Sequence, residues 1–418
     1  MANDRRPRRE IPPTAGLPPR RRDLYWPADR SSARNDLARQ AAEFLGAESV
    51  QVECSGTASL VVALTTLKRL STRRNVVVPA YTCPLVALAV AHCGLELRLC
   101  DLAAGSMDFD MAALAKACDG DTLAIMPTHL GGRVADVSTA SAIARTRGAF
   151  VIEDAAQALG ATRDGRALGF EGDAGFFSLA VGKGLTTYEG GLLVARDAAL
   201  RAEFRRTSAA IVPRRLGWEL RRSVELLGYH AFYRPAWLGV AYGRPLRRAL
   251  RRGDAVAAVG DDFAPPIPMH TLGGWRRAVG ARAFVRLPAF LAGNALRARR
   301  RMVRLRSIAG VEVFDDAPGA TGVWPFLWLR FSNEATRDAV LHRVWGAGLG
   351  VSRLFIHALP DYDYLAPQIG AHDVPNARAI AARCLTVSNS EWLDDESFES
   401  ICGVIEAVVS GSAANPMN

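Results

Sequence analysis

The sequence predicts an α/β fold, with a mainly parallel central sheet in a large domain and a smaller α+β domain at the C-terminus. Three observations predict it. Short apolar runs alternate with helical patterns from about residue 49 to residue 197. Polar residues gather where several of those runs end. A second set of alternating elements begins near residue 273, after an irregular arginine-rich stretch. The apolar runs are nearly continuous, as expected of strands covered on both faces by crossover helices.

Taken in chain order, residues 1–22 are rich in Pro and Arg and poor in apolar residues, a composition expected to lack structure. Strands are expected at 49–55, 75–80, 95–101, 123–127, 150–154, 175–180 and 191–195. Helices are expected at 58–67, 85–93, 111–117 and 137–147. Residues 199–262 break this rhythm, with many Arg, Trp, Tyr and Gly and with Pro213, Pro235 and Pro245 as punctuation. One long helix is expected over 273–304, interrupted at Pro288, whose ring removes a backbone donor. A strand at 324–331, a helix at 334–346, a strand at 349–354 and a final helix at 395–409 complete the smaller domain. The expected divisions are a basic tail (1–22), a large domain (23–265) containing the insert 199–262, and a C-terminal domain (266–418). No internal repeat is visible.

A chain of 418 residues, 49% hydrophobic and 22% charged, has the balance of a soluble globular protein. Its seven cysteines are scattered without a CxxC pair, which argues for reduced thiols over a disulfide framework or a zinc site. The basic N-terminus has no apolar run behind it, and the longest apolar stretch, 85–91, is too short to span a bilayer, so a cytoplasmic location is expected. The net charge is +10, and thirteen arginines face three glutamates between residues 201 and 252. That stripe could attract phosphates, but no nucleic-acid recognition module accompanies it and none is expected to bind. No GxGxxG follows a strand and no Walker loop is present. His129, His270 and His357 are too far apart for spacing alone to suggest a metal, and none is expected.

Four segments carry chemistry. Lys183 lies between an apolar strand and a Gly-Gly turn, five residues after Ser178. Asp154 stands at the carboxyl end of a strand, where α/β proteins bind ligands, and Gln157 follows three residues later. Ser55-Gly56-Thr57-Ala58-Ser59 joins a strand to a helix, and amides with a Thr57 hydroxyl at a helix N-terminus suit a dianionic phosphate. Together these are the parts a pyridoxal 5'-phosphate (PLP) site needs. The lysine amine forms a Schiff base with the cofactor aldehyde, and a carboxylate keeps the pyridine nitrogen protonated. Ser178 can add a hydroxyl to the phosphate cup, Gln157 can bond the ring hydroxyl, and a displaced Lys183 can serve as the proton-moving base.

The ordered set 55–59, 78–82 (Val-Pro-Ala-Tyr-Thr), 127–132 (Pro-Thr-His-Leu-Gly-Gly), 152–161, 165–178 and 182–187 resembles the DegT/StrS-type sugar aminotransferases. The resemblance is specific over about 45–200 and general over 266–410. It implies a fold-type-I PLP transferase with Lys183 as the Schiff-base lysine, Asp154 at the pyridine nitrogen and Gln157 near the ring hydroxyl. Gly56, Thr57, Ala58 and Ser178 would lie around the phosphate. It also implies a homodimer with a shared site, L-glutamate as amino donor, and a keto sugar, usually nucleotide-linked, as acceptor.

The sequence departs from the family pattern at two places. Where an aromatic residue should pack on the cofactor, two positions after Tyr81, it has Cys83, so that either Tyr81 substitutes or the ring is stacked less tightly. The partner-lent Asn-Tyr-Arg-type segment has no clear counterpart, the nearest position being around Met269-His270-Thr271. Within the insert, Trp218, Leu220, Val224, Leu227, Phe232 and Trp237 are flanked by Arg221, Arg222, Arg234, Arg247 and Arg248. This amphipathic pattern fits a lid or dimer arm packed on its own protein. It also fits peripheral membrane contact through 215–252, with a non-sugar, lipid-linked or carrier-tethered acceptor.

Overall fold

A computed structural model describes residues 9–25, 36–263 and 266–413. At its centre is a seven-stranded sheet in the order Gln51–Glu53, Gly191–Val194, Ala174–Ser178, Phe150–Asp154, Thr122–Ile125, Asn75–Pro79, Glu96–Cys100. Gly191–Val194 runs antiparallel to both its neighbours, and every other pairing is parallel or bridged through it. Each strand overlaps a run that the sequence marked as one, with Thr122–Ile125 and Ala174–Ser178 starting one residue earlier. Successive side chains of a strand point to opposite faces, and the core divides accordingly. Val76, Val78, Ala124 and Ile152 join helices Gly56–Leu70 and Pro84–His92 in one apolar cluster. Val77, Ile125 and Val151 join helices Met111–Ala117 and Val137–Arg147 in another.

Local signals start and stop the helices. Ser55, Asp110, Asp136 and Asp197 each cap a helix with a side-chain oxygen on a first-turn amide. Gly46 and Gly148 end helices in the left-handed conformation, at φ 62° and 64°.

The C-terminal sheet orders Val311–Val313, Phe326–Phe331, Cys384–Ser388 and Val351–Ser352, all antiparallel. Cys384–Ser388 was not anticipated, and the strand expected over 349–354 shortens to Val351–Ser352. The single helix expected over 273–304 is two, Gly274–Phe284 and Leu287–Arg306. Pro288 sits in the first turn of the second, where its missing N–H has no bond to lose. The core changes hands within that second helix. Leu287 packs with Leu37 and Phe177, whereas Ala298, Met302 and Leu305 pack with Leu327 and Leu329 of the C-terminal sheet.

Two sequence expectations fail. The insert 199–262 is chiefly helical, comprising Ala198–Ile211, Leu216–Phe232, Pro235–Leu238, a π turn at Gly239–Gly243, Arg244–Arg251 and Ala255–Val259. Its prolines punctuate these helices instead of preventing them, with Pro235 and Pro245 in first-turn positions. The tail expected to lack structure is packed over residues 9–22, and its first eight residues lie outside those described. Ile11, Ala15 and Leu17 are buried, and backbone bonds tie the segment to distant chain: Glu10 N–H to Pro235 O, Ile11 N–H to Gly348 O, Ala15 N–H to Pro325 O and Leu17 N–H to Gly184 O (2.7–2.9 Å). The segment is a strap joining the insert, the C-terminal domain and the loop that carries Lys183.

Candidate active site

The strand Ala174–Ser178 ends in a loop whose Gly182, at φ +85°, turns the chain so that Lys183 stands at the wall of a cavity of about 650 Å³. Gln157 and Asp261 share that wall. Burial pulls the Lys183 amine below the ordinary lysine value, while Cys83 and Asp154 act in the opposite direction. A buried lysine is more readily deprotonated and hence more nucleophilic.

Asp154 is buried at the end of its strand. Its N–H donates to Pro127 O and its carbonyl accepts from His129 N–H, each at 2.9 Å. One carboxylate oxygen accepts from Ala156 N–H at 3.0 Å. Burial raises the Asp154 carboxyl, and the Ala156 amide, Lys183 and His129 counteract that rise. Lys183 and Asp154, 29 residues apart in sequence, are thus close enough to act on each other's charge. Gln157 is held by its Oε1, which accepts from Gly131 N–H at 2.7 Å, leaving its NH₂ to donate. The left-handed pair Gly131 and Gly132 (φ +65° and +77°) presents that amide, which explains the two glycines of the 127–132 motif.

The phosphate-sized feature is the N-terminus of helix Gly56–Leu70. Ser55 Oγ accepts from Ala58 N–H at 2.9 Å, so the Ala58 amide, expected at a phosphate, is already engaged by the cap. The Gly56 and Thr57 amides precede the first helical acceptor and stay open to an anion. Ser178 abuts this end: a Cβ on Gly56 would lie 2.9 Å from the Ser178 Cβ. The donor and acceptor chemistry of the helix end, Ser178, Gln157, Asp154 and Lys183 fits pyridoxal phosphate. Among the described residues, no group of three or more His, Cys, Asp or Glu could hold a metal ion.

Tyr81 is not brought to this set. Its ring packs on Trp328 and Phe355 (centroids 6.2 and 5.7 Å), and its hydroxyl donates to Phe355 O at 3.1 Å. The Cys83 thiol, pushed up to about 12 chiefly by burial, acts on Lys183. His129 is a positioning residue. Nδ1 accepts from Ala135 N–H at 3.0 Å, which puts the ring proton on Nε2, 3.1 Å from Glu153. Burial would raise the Glu153 carboxyl, but His129 and the Gly172 and Gly169 amides hold it below its ordinary value.

The sequence did not foresee who builds the rest of the cavity. Tyr229, Phe232, Tyr233 and Tyr242 of the insert line it, together with Pro12–Ala15 of the strap and Phe326 and Phe355 of the C-terminal domain. The spacing of Tyr229 and Tyr233, one helical turn apart, was the available signal. Ion pairs dock the insert beside the lysine loop: Arg222 on Glu189 at 2.5 Å, and the buried Arg276 on Glu219 with Nε–Oε1 2.9 Å. Glu189 also meets His270 Nε2 at 3.3 Å. Tyr188, between these groups and the cavity, is held at φ +70°, a strained conformation for a non-glycine residue.

Residues 28–229 match the profile of the DegT/DnrJ/EryC1/StrS aminotransferase family. The chain is 35% identical over 183 residues to the GDP-perosamine synthase of Caulobacter vibrioides, covering 44% of this chain and 49% of that protein. It is 36% identical over 187 residues to the L-glutamine:scyllo-inosose aminotransferase of Streptomyces griseus, covering 44% of each. The chain spans about half the length, or less, of the curated relatives it matches. A putative sugar aminotransferase from Streptococcus pneumoniae, solved in its PLP form, shares the fold at a TM-score of 0.72 and 17% identity, over 96% of this chain and 99% of that one.

Proposed function

We propose that this chain, whose residues 28–229 match the DegT/DnrJ/EryC1/StrS aminotransferase family, is a PLP-dependent aminotransferase carrying an amino group from L-glutamate to a keto sugar. The observation that carries this reading is that Lys183, at the wall of the cavity, and the buried Asp154 lie close enough to act on each other's charge. When bound, the cofactor would supply an electron sink for the substrate carbon that loses its proton. Lys183 Nζ would hold the cofactor and then carry that proton, a task suited to an amine whose charged form burial disfavours. Asp154 would keep the ring nitrogen protonated, and Gln157 would donate to the ring hydroxyl. The Gly56 and Thr57 amides, with the Ser178 hydroxyl, would hold the phosphate.

The donor is testable against L-glutamine, which the name of the Streptomyces griseus relative specifies for that protein. Lys183→Ala should abolish turnover with either amino acid, and full turnover by that variant would refute the assignment.

One observation favours a second reading of the acceptor. The cavity wall is dominated by Tyr188, Tyr229, Phe232, Tyr233 and Phe355, and among the described residues lining it the one cationic side chain is Lys183. Asp261 adds a carboxyl, and the lining Glu225 is already paired with Arg221 and Arg222. A nucleotide diphosphate would find no guanidinium there to meet it. An acceptor with an apolar body beside its keto group suits these walls better. Competition between the keto substrate and free nucleotide diphosphates separates the readings, since only a nucleotide-linked acceptor predicts strong inhibition.

A further inference from the structure

The insert helix Leu216–Phe232 has two working faces. Glu225, Gly228, Tyr229 and Phe232 line the cavity. Leu216, Leu220 and Val224, spaced four residues apart, are 60–83% exposed, and Leu227 extends the row. Such a row covers one side of a helix. At the end of the helix, Phe232 belongs to both faces, being partly exposed and also part of the cavity wall. Its ring meets the exposed Trp237 at 6.3 Å. From Trp237 the surface continues along the helical run 235–251 through exposed Val240 to Arg244 and Arg248. Trp218, expected on this face, instead turns inward against His270, and Arg222 and Arg247 are taken up by Glu189 and Glu10.

The charge on this surface has one sign. Ten arginines face two glutamates between residues 214 and 252. Both acids are neutralised internally, Glu219 by Arg276 and Glu225 by Arg221 and Arg222. Arg214, Arg215, Arg234, Arg244, Arg248 and Arg252 are exposed and form no ion pair among the described residues. An exposed aliphatic row ending in Phe and Trp and bordered by unpaired arginines matches the interfacial plane of a bilayer whose headgroups are anionic. The cavity borders this surface at Phe232, which lines the cavity and is also exposed beside Trp237. No helix among the described residues is long and apolar enough to cross a membrane, so contact would be peripheral.

We propose that the outer face of the insert, residues 216–251, docks on an anionic lipid surface and that the cavity receives its keto acceptor from there. The acceptor half of this inference rests on the aminotransferase reading, whereas the docking half does not. The phosphates of a lipid-borne acceptor would meet the arginines at the rim, the charge that the cavity itself lacks.

The test is co-sedimentation of the full-length, PLP-loaded protein with vesicles of phosphatidylcholine alone or mixed equally with phosphatidylglycerol. The comparison variant is L220E/V224E, whose sites are exposed and outside the cavity. The wild type should sediment with the mixed vesicles, release them as salt rises, and ignore the neutral ones. The variant should bind at least about tenfold more weakly, with native mass by light scattering. Absent wild-type binding overturns the proposal, as does equal binding by the variant. A wild-type dimer that the variant converts to monomer, without vesicle binding, also overturns it and assigns the face to a second copy of this chain. Bleaching of the PLP band by L-glutamate, read in the same samples, reports separately on the aminotransferase reading.

Discussion

Arg247 donates to the buried carboxylate of Glu10 at 2.7 Å, joining two residues 237 positions apart. The pair clamps the N-terminal strap against the π turn of the insert, where a Cβ on Gly243 would strike Glu10 Oε2 at 2.0 Å. Strap and insert both line the cavity, and Leu17 N–H bonds Gly184 O one residue beyond Lys183. The clamp therefore ties cavity shape to lysine position.

Glu10→Ala should cost about 3 kcal/mol by leaving Arg247 without its partner. The loss should show as a lower Tm and faster proteolytic cleavage near residues 235–251. An unchanged Tm and cleavage rate would mean that the strap does not hold the insert.

Gly56→Ala should weaken PLP binding by at least about tenfold, because the new methyl sits 2.9 Å from the Ser178 Cβ and must push Ser178 off the helix end. Titration of the apoprotein with PLP, followed by the cofactor absorption band, checks this. Wild-type affinity in the variant would place the phosphate elsewhere.

Asp261 supplies a pH signature. Its Oδ2 accepts from Ile356 N–H at 2.9 Å and from the Tyr362 hydroxyl at 2.8 Å, and burial pushes its carboxyl from 3.8 up to about 6. The folded protein therefore keeps this proton to a higher pH than the unfolded chain does. The group's stabilising contribution is full below pH 3.8 and is lost as pH rises to about 6. Asp261→Asn keeps an acceptor and cannot ionise, so it should gain on the wild type by about 3 kcal/mol between pH 4 and pH 7. Denaturant melts of both proteins across that range check it, and a difference that stays constant with pH contradicts it.

The parts of this molecule legible in the sequence are those whose cause is local. The parallel sheet followed from apolar runs of strand length, and the Lys183, Asp154 and Gln157 segments from short motifs at strand ends. The strap was illegible because its partners, such as Pro235 and Gly348, lie more than two hundred residues away and are reached by backbone bonds that composition does not encode. The helices of the insert were not marked individually because prolines at helix starts show where segments break and not what lies between them. Tyr81 was misplaced for a related reason. Trp328 and Phe355, which bury its ring, come from the other domain.

The central claim is that Lys183 holds PLP and that an amino acid discharges its nitrogen there. The most direct measurement is the absorption spectrum of the PLP-reconstituted protein before and after L-glutamate, with Lys183→Ala alongside. The account predicts a visible band in the wild type that L-glutamate bleaches and that Lys183→Ala fails to form. No band in the wild type after reconstitution, or the same bleachable band in Lys183→Ala, would contradict it.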